Sequence, residues 1–217
     1  MTSTVRERCV VCGHSEFESV DTIKDSPVFM GTIDSQNTVS YQSEDMKFVR
    51  CSSCFNLQLS HLLPLEILYQ GNHNVEVVGK TWTEHFQKFA KFIFFNKTDS
   101  TILEIGCPSG KLAKEYLILD AESNWSIVEP NPNKDAIKNL PKNIKFKKKW
   151  LAELQTDTKY DNIVMSHVFE HLYDPYNELQ TIHTLLEDDG SLFISIPDMK
   201  YILSKAMLPP AGLNFEH

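Results

Sequence analysis

The sequence predicts an α/β fold in which a parallel sheet of five strands is flanked by helices and preceded by a small N-terminal β-rich domain. From residue 101 onward, short apolar runs alternate with amphipathic helical segments, a pattern typical of strand–helix–strand units. Before residue 60 the chain carries two C-x-x-C pairs among short strand-like segments. We therefore expect three regions: a cysteine-bearing domain over 1–62, a helical bridge over 63–98 and an α/β domain over 99–217.

The elements of the α/β region follow from the change between strand and helix periodicity. Strands are predicted at 101–105, 126–129, 144–147, 162–165 and 192–196. Helices are predicted at 111–119, 134–139, 176–186 and 199–205, with two more in the bridge at 65–69 and 82–95. Pro175 before one helix and Gly190 after it agree with the usual boundary residues.

Composition excludes several classes of protein. A net charge of -8 argues against a protein that binds nucleic acid through its phosphates. No apolar run has the length of a membrane span, and the polar N-terminus has no signal region, so no membrane partner and a cytoplasmic location are expected.

The two C-x-x-C pairs predict a structural zinc site made by Cys9, Cys12, Cys51 and Cys54. Each pair presents two thiolates from one tight turn, and two such turns complete a tetrahedral site with no open position. The alternative is a set of unligated thiols, which the doubled motif disfavours. The long separation of the pairs implies a small β subdomain between them.

The segment LEIGCPSGKL, residues 103–112, predicts a strand, a glycine turn and a helix, which is the cofactor position of a doubly wound fold. Glu104 at the strand end would oppose the pyrophosphate of a dinucleotide. The ammonium and sulfonium of S-adenosylmethionine suit a carboxylate there. Glu129 ends the next strand, at about the offset, ~20 residues, where an acid binds ribose hydroxyls. The alternative for Glu129 is an ordinary exposed strand end, but the two acids together predict S-adenosylmethionine.

The glycine turn, Glu129 and the segment 161–172, DNIVMSHVFEHL, resemble class I methyltransferases with a Rossmann-like core. Pro108 stands where many members carry a glycine. The resemblance implies that the first loop holds the methionine end, the acid after the second strand holds the ribose, the third loop flanks adenine and the fourth faces the transferred methyl. The matching positions are, in that order, Glu104, Gly106 and Gly110; Glu129; Trp150 and Leu151; and Ser166 and His167.

The cysteine module narrows the resemblance to zinc-binding-domain sugar C-methyltransferases that act on nucleotide-linked ketodeoxysugars. The shared features are C-x-x-C-G at 9–13 and the segments 48–59, 82–85 and 215–217. This resemblance implies Glu216 and His217 as the base, with His167 as a further catalytic candidate. Two alternatives stay open: an O- or N-methyltransferase of another metabolite, and a cofactor-binding subunit without turnover.

Two features bear on catalysis and assembly. Glu170 and His171 act either as a carboxylate–histidine general base for the reaction or as a structural cap of their loop. Five strands leave an apolar edge, which predicts a partner chain or a further segment covering it. Because the base implied by the resemblance is the final dipeptide, we expect cofactor binding but slow turnover by this chain alone.

Overall fold

The computed structural model describes residues 3–28, 43–68, 79–99 and 101–198 together with Lys200 and Phe215. The chain divides into two compact units. The first comprises Met1–His73, Glu170–Tyr176 and Asp198–His217, and the second comprises Asn74–Phe169 and Asn177–Pro197. Within the described ranges, no helix combines the length and apolarity that a membrane crossing requires.

The first unit is built from short antiparallel strands. Strands β2, β3 and β4 form one sheet with β3 in the centre, and β1 pairs with β5. Its apolar core consists of Val28, Met46, Leu59, Leu63, Leu68 and Phe215. Its elements are β1 (Thr4–Val5), β2 (Phe17–Pro27), β3 (Ser43–Cys51), β4 (Leu57–Leu59), β5 (His61–Leu62) and α1 (Leu65–Leu68).

The two cysteine turns of this unit share one backbone pattern. The Gly13 amide donates to the Cys9 carbonyl at 2.9 Å, and the Phe55 amide donates to the Cys51 carbonyl at 3.0 Å. The residue after each second cysteine has a left-handed backbone, with φ of 72° at Gly13 and 60° at Phe55. The first turn uses the residue type that adopts this φ freely, whereas the second holds a phenylalanine in a disfavoured conformation.

The second unit contains the predicted parallel sheet of five strands, in the order β10-β9-β6-β7-β8. The chain starts at the central strand, adds β7 and β8 on one side, and then returns to add β9 and β10 on the other. The elements are α2 (Lys80–Asn96), β6 (Thr101–Ile105), α3 (Lys111–Leu117), β7 (Asn124–Val128), α4 (Lys134–Ile137), β8 (Ile144–Lys147), β9 (Tyr160–Ser166), α5 (Pro175–Leu185) and β10 (Leu186–Ser195). Because the strand order reverses between β6 and β9, their carboxyl ends border the crevice where such sheets bind ligands.

Helices α2 and α3 cover one part of this sheet with apolar side chains. Phe89, Ala90 and Ile93 of α2 are buried at helical spacing, and Tyr116 of α3 packs against Trp125 of β7 with ring centroids 5.0 Å apart. Ile102, Leu112 and Val164 complete the centre of the same apolar cluster. The core therefore fixes α2 and α3 against the central strands.

Several predicted boundaries differ from the structure. Strand β9 extends beyond 162–165 at both ends, because Tyr160 and Ser166 pair with Leu186 and Ser195 of β10. Gly190 does not follow a helix but lies within β10, where the pairing with β9 shifts between Leu186 and Ser191. A Cβ at Gly190 would lie 2.9 Å from the Glu187 carbonyl oxygen, so this close approach needs glycine. The predicted helix at 199–205 lies outside the described residues apart from Lys200.

We expect Gly13→Ala to lower the free energy of unfolding of the first unit by about 1 kcal/mol, since a side chain disfavours left-handed backbone. An added Cβ there has no atom within 4 Å, so no clash contributes. Phe55→Gly is the matched variant, and its free energy of unfolding should stay within about 0.5 kcal/mol of the parent. Glycine removes the strain of the left-handed backbone, and this gain offsets the loss of the contacts of an exposed ring. Chemical denaturation measures both, and a larger loss in Phe55→Gly would contradict the backbone explanation.

Candidate functional site

The turn between β6 and α3 depends on its two glycines. Gly106 and Gly110 have φ of 75° and 68°, values that favour glycine. A Cβ on Gly106 would lie 2.6 Å from Val168 Cγ2, so the loop after β9 approaches this turn closely. The Gly106 amide donates to the Val128 carbonyl at 2.9 Å, which fixes the turn against the end of β7. The turn is therefore fixed against β7, and because its glycines have no side chains, another group can lie close to its backbone.

Pro108 changes how this turn is supported. Its carbonyl accepts a hydrogen bond from the Asn133 amide at 2.8 Å, which joins the turn to the segment after β7. The Asn133 side chain in turn accepts from the amides of Asp135 and Ala136 and caps α4. The residue that departs from the glycine pattern thus connects two loops at the same sheet edge.

Glu104 is the penultimate residue of β6 and is buried, with 1 % exposure. Its Oε2 accepts a hydrogen bond from Trp125 Nε1 at 2.8 Å. Burial raises the pKa of Glu104 to about 7; hydrogen bonds from Trp125 and Cys107 oppose this shift, and the charge of Glu129 adds to it. A carboxyl with this pKa changes its charge readily near neutral pH.

Glu129 directly follows β7, the neighbour of β6 in the sheet. Its Oε1 accepts from the Asn131 amide at 2.7 Å, and burial raises the pKa of its carboxyl. Trp150 and Leu151 follow β8, the next strand; Leu151 is buried, whereas Trp150 is 36 % exposed. The structure thus places the predicted cofactor residues after three adjacent strands, at the same edge of the sheet.

Ser166 ends β9 and His167 begins the loop after it, and both are contacted by α2. His85 Nε2 lies 2.9 Å from Ser166 Oγ, and the ring centroids of His85 and His167 are 4.8 Å apart. Trp82, one turn earlier on α2, contacts the His167 ring at a centroid distance of 4.9 Å. Burial, with a smaller contribution from His167, lowers the pKa of His85 to about 4.

Sequence reasoning did not select His85 as a site residue. The available signal was the spacing of Trp82 and His85, which places both on one face of a helix. Glu170 and His171 belong to the first unit, in a short turn at Phe169–His171. Glu216 and His217 lie outside the described residues, and Phe215 beside them packs in the apolar core of the first unit.

The four paired cysteines converge in the first unit. Their Sγ atoms all lie within 4.8 Å of one another, and the Cys9–Cys54 and Cys12–Cys51 pairs are each separated by 3.6 Å. A tetrahedral zinc site with Zn–S bonds of about 2.3 Å has sulfur–sulfur separations of about 3.8 Å. The donor set and spacing therefore fit zinc.

One side chain of β4 supports the first cysteine turn. Buried Gln58 accepts a hydrogen bond from the Val10 amide through Oε1 at 3.1 Å. Gln58 also follows the second cysteine turn in the chain, so it ties the two turns together. Cys107 lies apart from this cluster, buried in the glycine turn, where its Sγ accepts from the Gly110 amide at 3.1 Å.

Comparison with known proteins finds a curated relative and similar solved structures. A curated relative, the mitochondrial ubiquinone biosynthesis O-methyltransferase of Bos taurus, is 31% identical over 104 residues, which is 43% of this chain and 28% of that protein. Among solved structures, the plantazolicin methyltransferase BpumL with a pentazolic desmethylPZN analog and SAH is 17% identical, with a TM-score of 0.49 over 64% of this chain and 56% of that chain. Coclaurine N-methyltransferase bound to N-methylheliamine and SAH is 20% identical, with a TM-score of 0.47 over 61% of this chain and 44% of that chain.

A family model described as "Methyltransferase domain" matches residues 76–213. The match covers more than half of the chain and includes the whole parallel sheet and the glycine turn. The chain therefore belongs to the methyltransferase-domain family and has its Rossmann-like fold.

Proposed function

We propose that this chain is an S-adenosylmethionine-dependent methyltransferase that acts on a small molecule. The observation that carries the proposal is the pair of shielded carboxyls, Glu104 and Glu129, at the ends of the neighbouring strands that border the glycine turn. Two acids repel the pyrophosphate of a dinucleotide but suit a cationic ligand that also has ribose hydroxyls.

The state of Glu104 supports a cationic ligand. Burial and the like charge of Glu129 raise its pKa, so ionisation costs free energy in the ligand-free protein. A nearby ammonium or sulfonium would favour the ionised form. A buried acid with this pKa is therefore matched to a ligand that brings positive charge.

Each loop at this edge has a proposed role. Gly106 and Gly110 allow close approach of the methionine end, Glu104 offsets its positive charge, and Glu129 accepts hydrogen bonds from the ribose. Trp150 and Leu151 flank adenine, and Ser166 and His167 face the methyl group. When bound, S-adenosylmethionine supplies an electrophilic methyl on a sulfonium sulfur.

The finer proposal for the acceptor is the carbon of a nucleotide-linked ketodeoxysugar. It rests on the resemblance of the cysteine module and assigns the base to Glu216 and His217. A hydroxyl acceptor is the second candidate, favoured by the similarity to the ubiquinone biosynthesis O-methyltransferase. The chain covers 28% of that relative, so its activity enters only as a candidate.

We further propose three regions along the sequence, 1–62, 63–98 and 99–217, with structural zinc in the first. The compact units cross these boundaries, since the first unit also includes Glu170–Tyr176 and Asp198–His217. The four convergent thiols carry the zinc proposal. The metal would be held by Cys9, Cys12, Cys51 and Cys54, and it would cross-link two turns that are distant in sequence. No open coordination position remains for a reaction, so the role is structural.

We expect S-adenosylhomocysteine, the demethylated product, to bind in calorimetry, and Glu129→Ala to weaken binding by roughly 1 to 3 kcal/mol, since a charged hydrogen-bond partner is lost. Glu122→Ala, which removes an exposed acid before β7, is the matched control and should bind as the parent does. Preferential binding of a nicotinamide dinucleotide would overturn the cofactor assignment.

A methyl-transfer assay tests the reaction. Labelled methyl transfer from S-adenosylmethionine is measured with a ketodeoxysugar nucleotide and with a catechol as acceptors. Transfer to the sugar nucleotide supports the finer proposal, and transfer to the catechol supports the hydroxyl candidate. Binding of the cofactor without transfer to either acceptor would contradict both acceptor classes but leave the cofactor site intact.

We expect Glu104→Gln to stabilise the ligand-free protein at pH 8. The folded-state pKa of about 7 exceeds the ordinary value of 4.5. The free energy of unfolding of the wild type therefore falls as pH rises from 4.5 to about 7, by up to about 3 kcal/mol. Glutamine stays uncharged and can still accept from Trp125 Nε1, so the difference in unfolding free energy should grow between pH 5 and 8. Urea denaturation across that range measures it.

The same substitution should weaken the binding of S-adenosylmethionine at pH 8, because the charge that offsets the cation is lost. A variant that is more stable but binds S-adenosylmethionine more weakly would show that Glu104 serves ligand binding at the expense of stability. A variant that is less stable at pH 8, or binds equally well, would contradict this role.

We expect purified protein to contain about one zinc per chain, and Cys12→Ser to lose it. Cys107→Ser is the matched control and should keep the metal, since Cys107 lies in the other unit. Elemental analysis and thermal denaturation before and after chelation check this. Metal-free protein that melts at an unchanged temperature would contradict a structural role.

A further inference from the structure

A cluster of four side chains joins the start of α2 to the loop after β9. This α2–β9 cluster consists of Trp82, His85, Ser166 and His167. Its polar contact is the 2.9 Å separation of His85 Nε2 and Ser166 Oγ, and its rings meet edge to face. All four residues belong to the second unit.

The cluster borders the glycine turn of the proposed cofactor site. Ile105 of β6 pairs with Met165 of β9, so the next residues, Gly106 after β6 and Ser166 at the end of β9, are neighbours. Val168, two residues beyond Ser166, blocks any side chain at Gly106. Ser166 therefore stands next to the turn where the methyl donor is proposed to bind.

The conformation of His167 shows that the cluster is held in place. Its φ of 54° is in the left-handed region, which is disfavoured for a residue with a side chain. The His167 amide donates to the Ser195 carbonyl at 2.9 Å, and its ring is held between Trp82 and His85. A strained backbone maintained by surrounding contacts is a feature that concentrates at functional sites.

The surroundings of His85 keep its imidazole neutral. His85 is half-buried, and the titratable side chain that acts on it electrostatically is His167. Both effects favour the neutral imidazole, which has one protonated and one unprotonated ring nitrogen. When the proton is on Nδ1, Nε2 can accept a hydrogen bond from the Ser166 hydroxyl.

We propose that Ser166 and His85 form a proton relay for methyl transfer, with Ser166 contacting the acceptor and His85 taking the proton through it. In this step the bond between the acceptor atom and the methyl carbon forms, while the carbon–sulfur bond breaks and its electron pair stays on sulfur. The acceptor proton passes to Ser166 Oγ as the Ser166 proton passes to His85 Nε2. The inference rests on the proposed function and is made for a hydroxyl acceptor, because a carbon acceptor must lose its proton before it can attack the methyl group.

The charges in this step balance. A sulfonium cation disappears at the moment when an imidazolium appears, so the net charge of the site does not change. Before transfer, a sulfonium nearby would keep His85 neutral and lower its basicity. After transfer that repulsion is gone. The relay thus accepts a proton only as the methyl leaves the donor.

Nitrogen NMR of the histidine side chains at pH 7.5 tests the relay without turnover. In the S-adenosylmethionine complex we expect His85 to be neutral, with Nδ1 protonated and Nε2 accepting a hydrogen bond. Ser166→Ala should shift the Nε2 signal, while exposed His183 on α5 should not respond. A protonated Nε2, or a charged His85, would overturn the relay.

Kinetics provides the second readout, with the catechol acceptor named above. His85→Gln and Ser166→Ala should lower kcat by about 10²- to 10⁴-fold, the usual contribution of proton transfer, and Kd for S-adenosylhomocysteine should stay within about twofold of the parent in His85→Gln. Added imidazole should restore part of the rate of His85→Gly, a rescue that a packing role would not allow. His183→Gln is the control and should keep the parental rate.

The outcomes separate the relay from the proposed function. If S-adenosylhomocysteine does not bind the parent protein, the proposed function fails and the relay fails with it. If it binds but kcat is unchanged in both His85 variants, the relay alone is overturned. If His217→Ala abolishes transfer while His85→Gln does not, the base lies in the terminal segment. If neither acceptor is methylated, the NMR result decides the relay.

Discussion

The buried carboxyl of Glu104, in the central strand of the sheet, affects both the stability and the ligand binding of the second unit. Glu104 pairs with a neighbour on each side in the sheet and is shielded from water, yet it carries a group that prefers to be charged. Among the described residues, the Trp125 indole and the nearby Cys107 thiol act to stabilise its ionised form, and burial outweighs them. Ligand-free, this position works against folding, and a cation at the adjacent turn would convert it into a favourable one. Stability and ligand binding are therefore opposed at a single side chain.

The parallel sheet was predictable because its signals are local. Each strand is a short apolar run followed by turn or cap residues, and the glycines of the first turn mark a backbone that only they adopt easily. The cysteine pairs are equally local, and their spacing alone implied convergence. The acids Glu104 and Glu129 could be placed at strand ends from the pattern, although the direction of their side chains could not.

What the sequence could not supply were contacts between distant segments. His85 and Ser166 are 81 positions apart, and nothing in either local pattern indicates that they meet. The Trp125 indole that binds Glu104 comes from the next strand and depends on the register of β6 against β7. The early start of β9 depends on the Asp161 amide, which donates to Thr101 Oγ1 at the start of β6. Periodicity describes which face is buried, but not which polar atoms meet there.

The first unit is assembled from three separate stretches of chain, and one of them, Glu170–Tyr176, interrupts the second unit just after the loop that holds His167. That short stretch is anchored within the first unit: the Tyr173 hydroxyl donates to the Leu63 carbonyl at 2.7 Å, and Arg6 donates to the Tyr173 carbonyl at 3.1 Å. No single cut in the chain can therefore separate the two units. Genetic exchange of one whole unit for another would need four junctions, after residues 73, 169, 176 and 197, to change together, which works against simple domain shuffling.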